Sequence, residues 1–242
     1  MPDQPSTMAD SPPAALPLSA QVLALQAQLV FDRSRLSNLL SLPFAGLVGL
    51  LLWGQVAPAL LTGWLAAKLA VCGWRLAIDW SHRRGGPVQA AHWLRRYGWA
   101  HVADGLVYGG LGSWLVPTHG SPLGTMLLAT AICTAAVGFV VLSHHFGTLM
   151  AFVLPLMLPI LAWQWQLGTP LSLYASAAGL LFLCLVVVDG WRAAQGTVAA
   201  LRDRLRLDDL AAQRQAALEQ AQQHSVVKNR FLATMSHEMR TP

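Results

Sequence analysis

Apolar residues run along the chain in six blocks, at 39–54, 56–78, 99–117, 123–143, 146–166 and 171–189, separated by short polar links. Each block is close to the roughly 20 residues that a helix needs to cross a hydrocarbon layer about 30 Å thick, the first being short unless it extends back into the preceding segment. In that segment Val22, Leu25, Leu29, Leu36 and Leu39 keep a three-four spacing, which predicts an amphipathic helix at 19–38 running into the first span. Such a helix suits either a position on the membrane surface or a dimer contact. After the sixth block the chain turns polar and alanine-rich, with no proline between Pro170 and Pro242. One helix of about 70 residues, on the order of 100 Å, is therefore predicted from the last span onward. Its apolar stripe breaks: Val198, Leu201 and Leu205 share one register, while Leu207, Leu210, Ala217, Ala221, Phe231 and Met235 fit a heptad in another. With Asp208, Arg214 and His224 at seam positions, the break predicts a weak two-helix contact with two available packings, or else a solvated helix with no partner.

The pattern thus predicts an all-α fold: a polytopic helical bundle of six spans over 39–190, preceded by a tail and amphipathic helix at 1–38 and followed by a long cytoplasmic helix or coiled coil over 191–227. Composition agrees. Only 11% of residues are charged and 55% are apolar, against about 25% charged in a soluble domain. From Gly105 to Val188 there is no Asp, Glu, Lys or Arg in 84 residues, which excludes a water-soluble fold. The net charge of +5 does not imply a nucleic-acid partner, because the arginines flank apolar blocks as a basic membrane margin does. Cys72, Cys133 and Cys184 sit far apart in apolar blocks without a Cys-x-x-Cys pair and read as small buried hydrophobes. No cleaved signal peptide is evident, and residues 1–17, rich in Pro, Ser and Asp, read as a disordered tail.

Charge also sets an orientation. The links at 54–57, 118–122 and 164–170 lack Lys and Arg, whereas Arg83, Arg84, Arg95 and Arg96 follow the second block and Arg192, Arg202, Arg204 and Arg206 follow the sixth. Both termini are then cytoplasmic. Trp53, Trp114, Trp163 and Trp165 near the outer ends, and Trp80, Trp93, Trp99 and Trp191 near the inner ends, read as interfacial anchors. The outer links leave no room for a folded extracytoplasmic domain, so any stimulus is read in the membrane, at its surface or by the inner loops.

Chemistry is concentrated at the C-terminus. In Lys228–Pro242 the residues Phe231, Leu232, Met235 and Met239 fall on one helical arc about 100° wide, with His237 nearly opposite. The strings Phe231-Leu232-Ala233, Ser236-His237-Glu238 and Arg240-Thr241-Pro242 stand in the register of the H-box of sensor histidine kinases, which this stretch resembles over some fifteen of the 242 residues. The resemblance implies that 228–242 begins a dimerisation and histidine-phosphotransfer domain, that His237 accepts the phosphoryl group, that Glu238 is its orienting base, and that Thr241 helps dephosphorylate the partner regulator. It further implies ATP and Mg²⁺ as cofactors, bound by an ATP-binding domain for which this sequence has no phosphate-cradling loop. The chain is expected to be the front of a longer protein-histidine kinase and inactive alone. Expected partners are a second copy in a homodimer, a response regulator or receiver domain, membrane lipid and an unidentified signal ligand, in a bacterial inner membrane.

Ionisable residues inside spans are costly and become functional candidates. Lys68 lies mid-span in the second block, Arg75 and Asp79 one turn apart near its inner end, and Asp104 in the inner half of the third. Asp104 is placed to pair with Arg75 or Lys68, either as a packing bridge or as a group that sets the balance between two packings. His101, His144 and His145 cluster near the inner interface and His119 near the outer one. They suit water and headgroups, with His101 opposite His144 or His145 as a less favoured metal or haem pair; no metal site is assigned. Pro155 and Pro159 predict a bent fifth span with freed carbonyls. Two other readings stay open: a small transporter or channel, and a membrane anchor for a kinase that senses a cytoplasmic signal. Reporter fusions test the orientation: one at residue 120 should behave as periplasmic and one at residue 88 as cytoplasmic.

Overall fold

The computed structural model describes residues 17–84, 89–115 and 123–238. Six helices follow one another: α1 (Leu18–Leu52), α2 (Pro58–Arg84), α3 (Ala90–Gly110, continued by a π-helical turn at Leu111–Leu115), α4 (Leu123–Leu142), α5 (Phe146–Leu167) and α6 (Pro170–Glu238). No strand occurs among the described residues. The chain divides into two units, Met1–Val198 and Ala199–Pro242. Five helices, α1, α2, α4, α5 and Pro170–Val226 of α6, are long and apolar enough to cross a membrane. Helix α3 is not among them. It carries Arg95, Arg96 and Asp104, and its inward residues Tyr97, Ala100, His101, Asp104, Gly105, Tyr108 and Gly109 are covered by protein. A helix covered by neighbouring helices has less need of an apolar circumference than one that faces lipid.

The predicted amphipathic segment and first span form one helix, α1, which passes through Pro43. The apolar stripe, expected to meet the membrane surface or a second copy, is not the face that packs within the bundle. Of that stripe Val22 is buried, but Leu36 and Leu39 are 65% and 55% exposed, while Gln26, Ala27, Val30, Phe31, Ser34 and Asn38 point inward. In a bilayer the lipid is as apolar as leucine, so leucines face outward and polar groups turn to protein partners. The same rule corrects the cysteines: Cys72 is buried, but Cys133 and Cys184 are exposed on the bundle surface. Trp53, Trp80, Trp99, Trp165 and Trp191 are exposed, as interfacial anchors are. Trp93 is instead buried, edge-on to the His82 ring at 6.2 Å. The side chain of Trp114 and all of His119 lie outside the described residues.

Helix ends follow local rules. Pro58 and Pro170 open α2 and α6, where a missing N–H costs nothing. Helix α5 ends at Gly168, whose φ of 66° suits a residue without a Cβ. At the other end of α5, His145 caps the helix by accepting the Thr148 N–H at 3.1 Å through Nδ1.

Helices α3 and α5 approach each other backbone to backbone, and glycine makes it possible. A Cβ at Gly105 would lie 2.5 Å from the Phe152 carbonyl oxygen and one at Gly109 2.4 Å from that of Pro155. Gly105 and Gly109 are four residues apart, the small-x-x-x-small pattern of close membrane helix pairs. Pro159 cannot donate to the Pro155 carbonyl four residues earlier, and this is the oxygen that faces Gly109. The prolines of α5 and the glycines of α3 are thus one device, with weak Cα–H donors meeting a freed acceptor.

In α6 the inward residues Ser172, Ser176, Gly179, Leu183, Val186 and Gly190 repeat at four-three spacing. Leu161 enters the notch at Gly179 and Leu149 that at Gly190, each with a methyl 2.5 Å from where a Cβ would stand. Within 199–238 the backbone is helical; Leu207, Leu210, Leu218 and Val226 are exposed, and Gln215 donates to Glu219 at 2.9 Å. A single chain therefore leaves the predicted heptad positions Leu207 and Leu210 uncovered.

Gly109→Leu should lower the resistance of the bundle to unfolding by about 1–3 kcal/mol or more through overpacking against backbone, whereas Gly63→Ala and Gly73→Ala, which meet nothing within 4 Å, should be neutral or stabilising. Thermal unfolding of the three variants in one detergent checks this.

Candidate functional site

Two helices carry polar side chains at helical spacing into the middle of the bundle. On α3, Tyr97, His101, Asp104 and Tyr108 share one face, and on α2 Lys68, Cys72 and Arg75 share another. Where they meet, Asp104 receives both cations: Lys68 Nζ bonds one carboxylate oxygen and Arg75 Nη1 the other, the latter at 2.5 Å. All three side chains are buried, Lys68 with 1% and Asp104 with 2% of its surface exposed. Neither cation alone was the partner of Asp104, as the sequence left open; the structure holds both. Asp79 lies one turn beyond Arg75 but pairs with Arg83 at 3.3 Å, at the basic end of the bundle.

Around this triad the remaining groups interlock. Lys68 Nζ sits 4.3 Å from the centre of the Tyr108 ring, a cation–π contact in a dry site. Asn38 Nδ2 donates to the Tyr97 hydroxyl at 3.1 Å, which ties α1 to α3. Trp64 Nε1 donates to the Val107 carbonyl at 3.0 Å. That carbonyl stands where α3 passes into its π-helical turn and the Leu111 N–H turns to Tyr108 O, so the indole satisfies backbone at a change of helix type. His101 is buried with its Nδ1–H donating to the Tyr97 carbonyl at 2.9 Å, which leaves Nε2 as a lone-pair acceptor. Four buried atoms in this cluster have no hydrogen-bond partner among the described residues: Asn38 Oδ1, Arg75 Nε, His101 Nε2 and the Tyr108 hydroxyl. Unmet polar atoms in a dry interior are costly.

Of these residues Arg75, His101 and Tyr108 border a cavity. A space of about 220 Å³ is bounded by Ser41, Lys68, Arg75, His101, Asp104 and Tyr108 at its polar end and by Leu40, Phe44, Val137, Val141 and Phe152 along its apolar body. Leu40, Val137 and Cys133 at its rim are exposed on the bundle surface between α1 and α4. The cavity therefore opens sideways, on the lipid-facing flank.

The other predicted residues lie elsewhere. His144 and His145 stand between α4 and α5 at the basic end, and the described residues contain no group of three or more metal-ligating side chains. His144 joins the structure through its carbonyl, which accepts from Gln26 at 2.9 Å. Burial first and Arg33 second hold the His144 imidazole below its ordinary pKa, and burial does the same for His145. His237 and Glu238 lie in the last turn of α6, their side chains outside those described, and Thr241 lies outside the described residues. Met235, expected on a packing arc, is 42% exposed in the single chain.

Sequence reasoning missed Tyr97, Tyr108, Asn38 and Trp64. Two signals were present: the spacing of Tyr97, His101, Asp104 and Tyr108, and the polar positions Gln26, Ser34 and Asn38 at multiples of four along an apolar helix. No family model matches the chain, and neither a curated protein nor a solved structure matches it.

Asp104→Asn should leave Lys68 and Arg75 buried without a counter-charge and lower stability by about 3–5 kcal/mol, while replacing all three with apolar residues of similar volume should recover much of the loss. Unfolding of the single and triple variants, compared at equal detergent concentration, reads both effects.

Proposed function

We propose that the chain is the membrane sensor module of a two-component histidine kinase, with His237 as the phosphate-accepting residue. The observation that carries this reading is the H-box register at Phe231-Leu232-Ala233, Ser236-His237-Glu238 and Arg240-Thr241-Pro242. Its support is that Ser236, His237 and Glu238 belong to the same helix, α6, as the last apolar block. In this reading α3 is the sixth span, sheltered by its neighbours, and both termini are cytoplasmic in a bacterial inner membrane. Two copies pair through the heptad positions of 207–235.

Neutral imidazole is nucleophilic near pH 7 because its unperturbed pKa is about 6.5. One ring nitrogen of His237 takes the γ-phosphoryl group of ATP as the bond to ADP breaks, and Glu238 holds the proton on the other nitrogen. Positioning and Mg²⁺ supply most of the acceleration, and both come from an ATP-binding domain. The phosphoryl group then passes to an aspartate of a response regulator or receiver domain, and Thr241 serves the reverse, dephosphorylating step. Change in the membrane bundle reaches His237 by altering which of two packings the helices of the pair adopt.

With an ATP-binding domain supplied in the same chain, His237→Gln should abolish incorporation of ATP-derived phosphate, and Glu238→Gln should lower its rate with helix content unchanged. Acid-labile phosphate persisting on the His237→Gln protein would exclude the assignment.

A further inference from the structure

The cavity beside the triad has the attributes of a ligand site that the phosphotransfer reading leaves unassigned. Its polar end carries two cations against one carboxylate, so with Lys68 and Arg75 protonated it holds one net positive charge in a low-dielectric interior. Arg75 Nε and the Tyr108 hydroxyl are donors left over after the internal pairings, and His101 Nε2 is an acceptor left over. Arg75, His101 and Tyr108 are each more than nine-tenths buried and each borders the space. The body of the cavity is apolar and its mouth opens on the lipid-facing flank at Leu40, Cys133 and Val137. By the proportion in which a cavity of about 150 Å³ holds benzene, its 220 Å³ takes about nine non-hydrogen atoms.

We propose that this cavity binds a short, single-chain hydroxylated carboxylic acid that enters sideways from the bilayer. The carboxylate neutralises the surplus charge and accepts from Arg75 Nε and the Tyr108 hydroxyl. A hydroxyl near the head donates to His101 Nε2, and the chain lies along Phe44, Val141 and Phe152 toward the mouth. A two-chain phospholipid does not fit this volume. The site binds whether or not His237 accepts phosphate, so its test reads binding directly.

The protein in lipid nanodiscs is titrated with radiolabelled 3-hydroxyhexanoate, with empty nanodiscs as the partition control and 1,3-hexanediol, the same body without charge, as the comparison probe. Saturable one-to-one binding is expected, with the diol at least tenfold weaker as a competitor. Val137→Trp, which fills the mouth from an exposed position, should weaken binding at least tenfold at unchanged melting temperature, and Tyr108→Phe should weaken it severalfold while keeping the ring beneath Lys68. Equal competition by acid and diol, unchanged affinity in Val137→Trp, or native mass spectra in which the site retains a two-chain phospholipid instead would each overturn the proposal.

Discussion

Two cations on one buried carboxylate constrain everything around them. Removing Lys68, Arg75 and Asp104 from water costs several kcal/mol per ion, and only close pairing recovers it. The two helices that supply them must therefore keep their register, since a slip of one residue would rotate a charge out of reach. Tyr108 covers Lys68 on one side, and the Tyr97–Asn38 bond joins α1 to the same helix. With α2 and α3 committed by charge and α1 tied on by an amide, α4 and α5 complete the bundle by shape.

Shape is where the glycines act. Asp104 and Gly105 are neighbours in sequence and so point about 100° apart on α3. One turns to α2 with a full charge; the other turns to α5 with no side chain at all. The same helix is thus held electrostatically on one side and by backbone approach on the other, and the two modes do not compete for space. Surplus polarity collects on the charged side, beside the cavity, because its groups came together to satisfy Asp104 rather than one another.

Five of the six apolar blocks and the long last helix were legible in the sequence, because span length and proline placement are properties of the chain alone; the third block, α3, is not apolar enough to count as a span by itself. The intramembrane charges were legible as well, since Lys68, Arg75 and Asp104 stand inside apolar blocks of a chain that is only 11% charged. What could not be read was direction. On α1 the three-four leucine pattern points away from the bundle, with Leu36 and Leu39 exposed, while the face that packs is the polar one overlooked at Ser34 and Asn38. Cys133 and Cys184 went astray for the same reason. The cavity depends on five helices meeting, and no local pattern announces that. At the C-terminus the reading of His237 rests on its motif alone, since its side chain lies outside those described.

Helix α6 rests on its neighbours along a narrow line, and the line is notched. Leu149 and Leu161 sit in hollows at Gly190 and Gly179, eleven residues or about 16 Å apart along the axis. A small push along the axis meets resistance from both leucines at once. One turn to either side the inward positions are Ser176 and Leu183, or Val186 and Ala194, so no second pair of glycine hollows waits there. Two pegs in two hollows therefore key α6 to a single register, much as a two-pin plug fits one way.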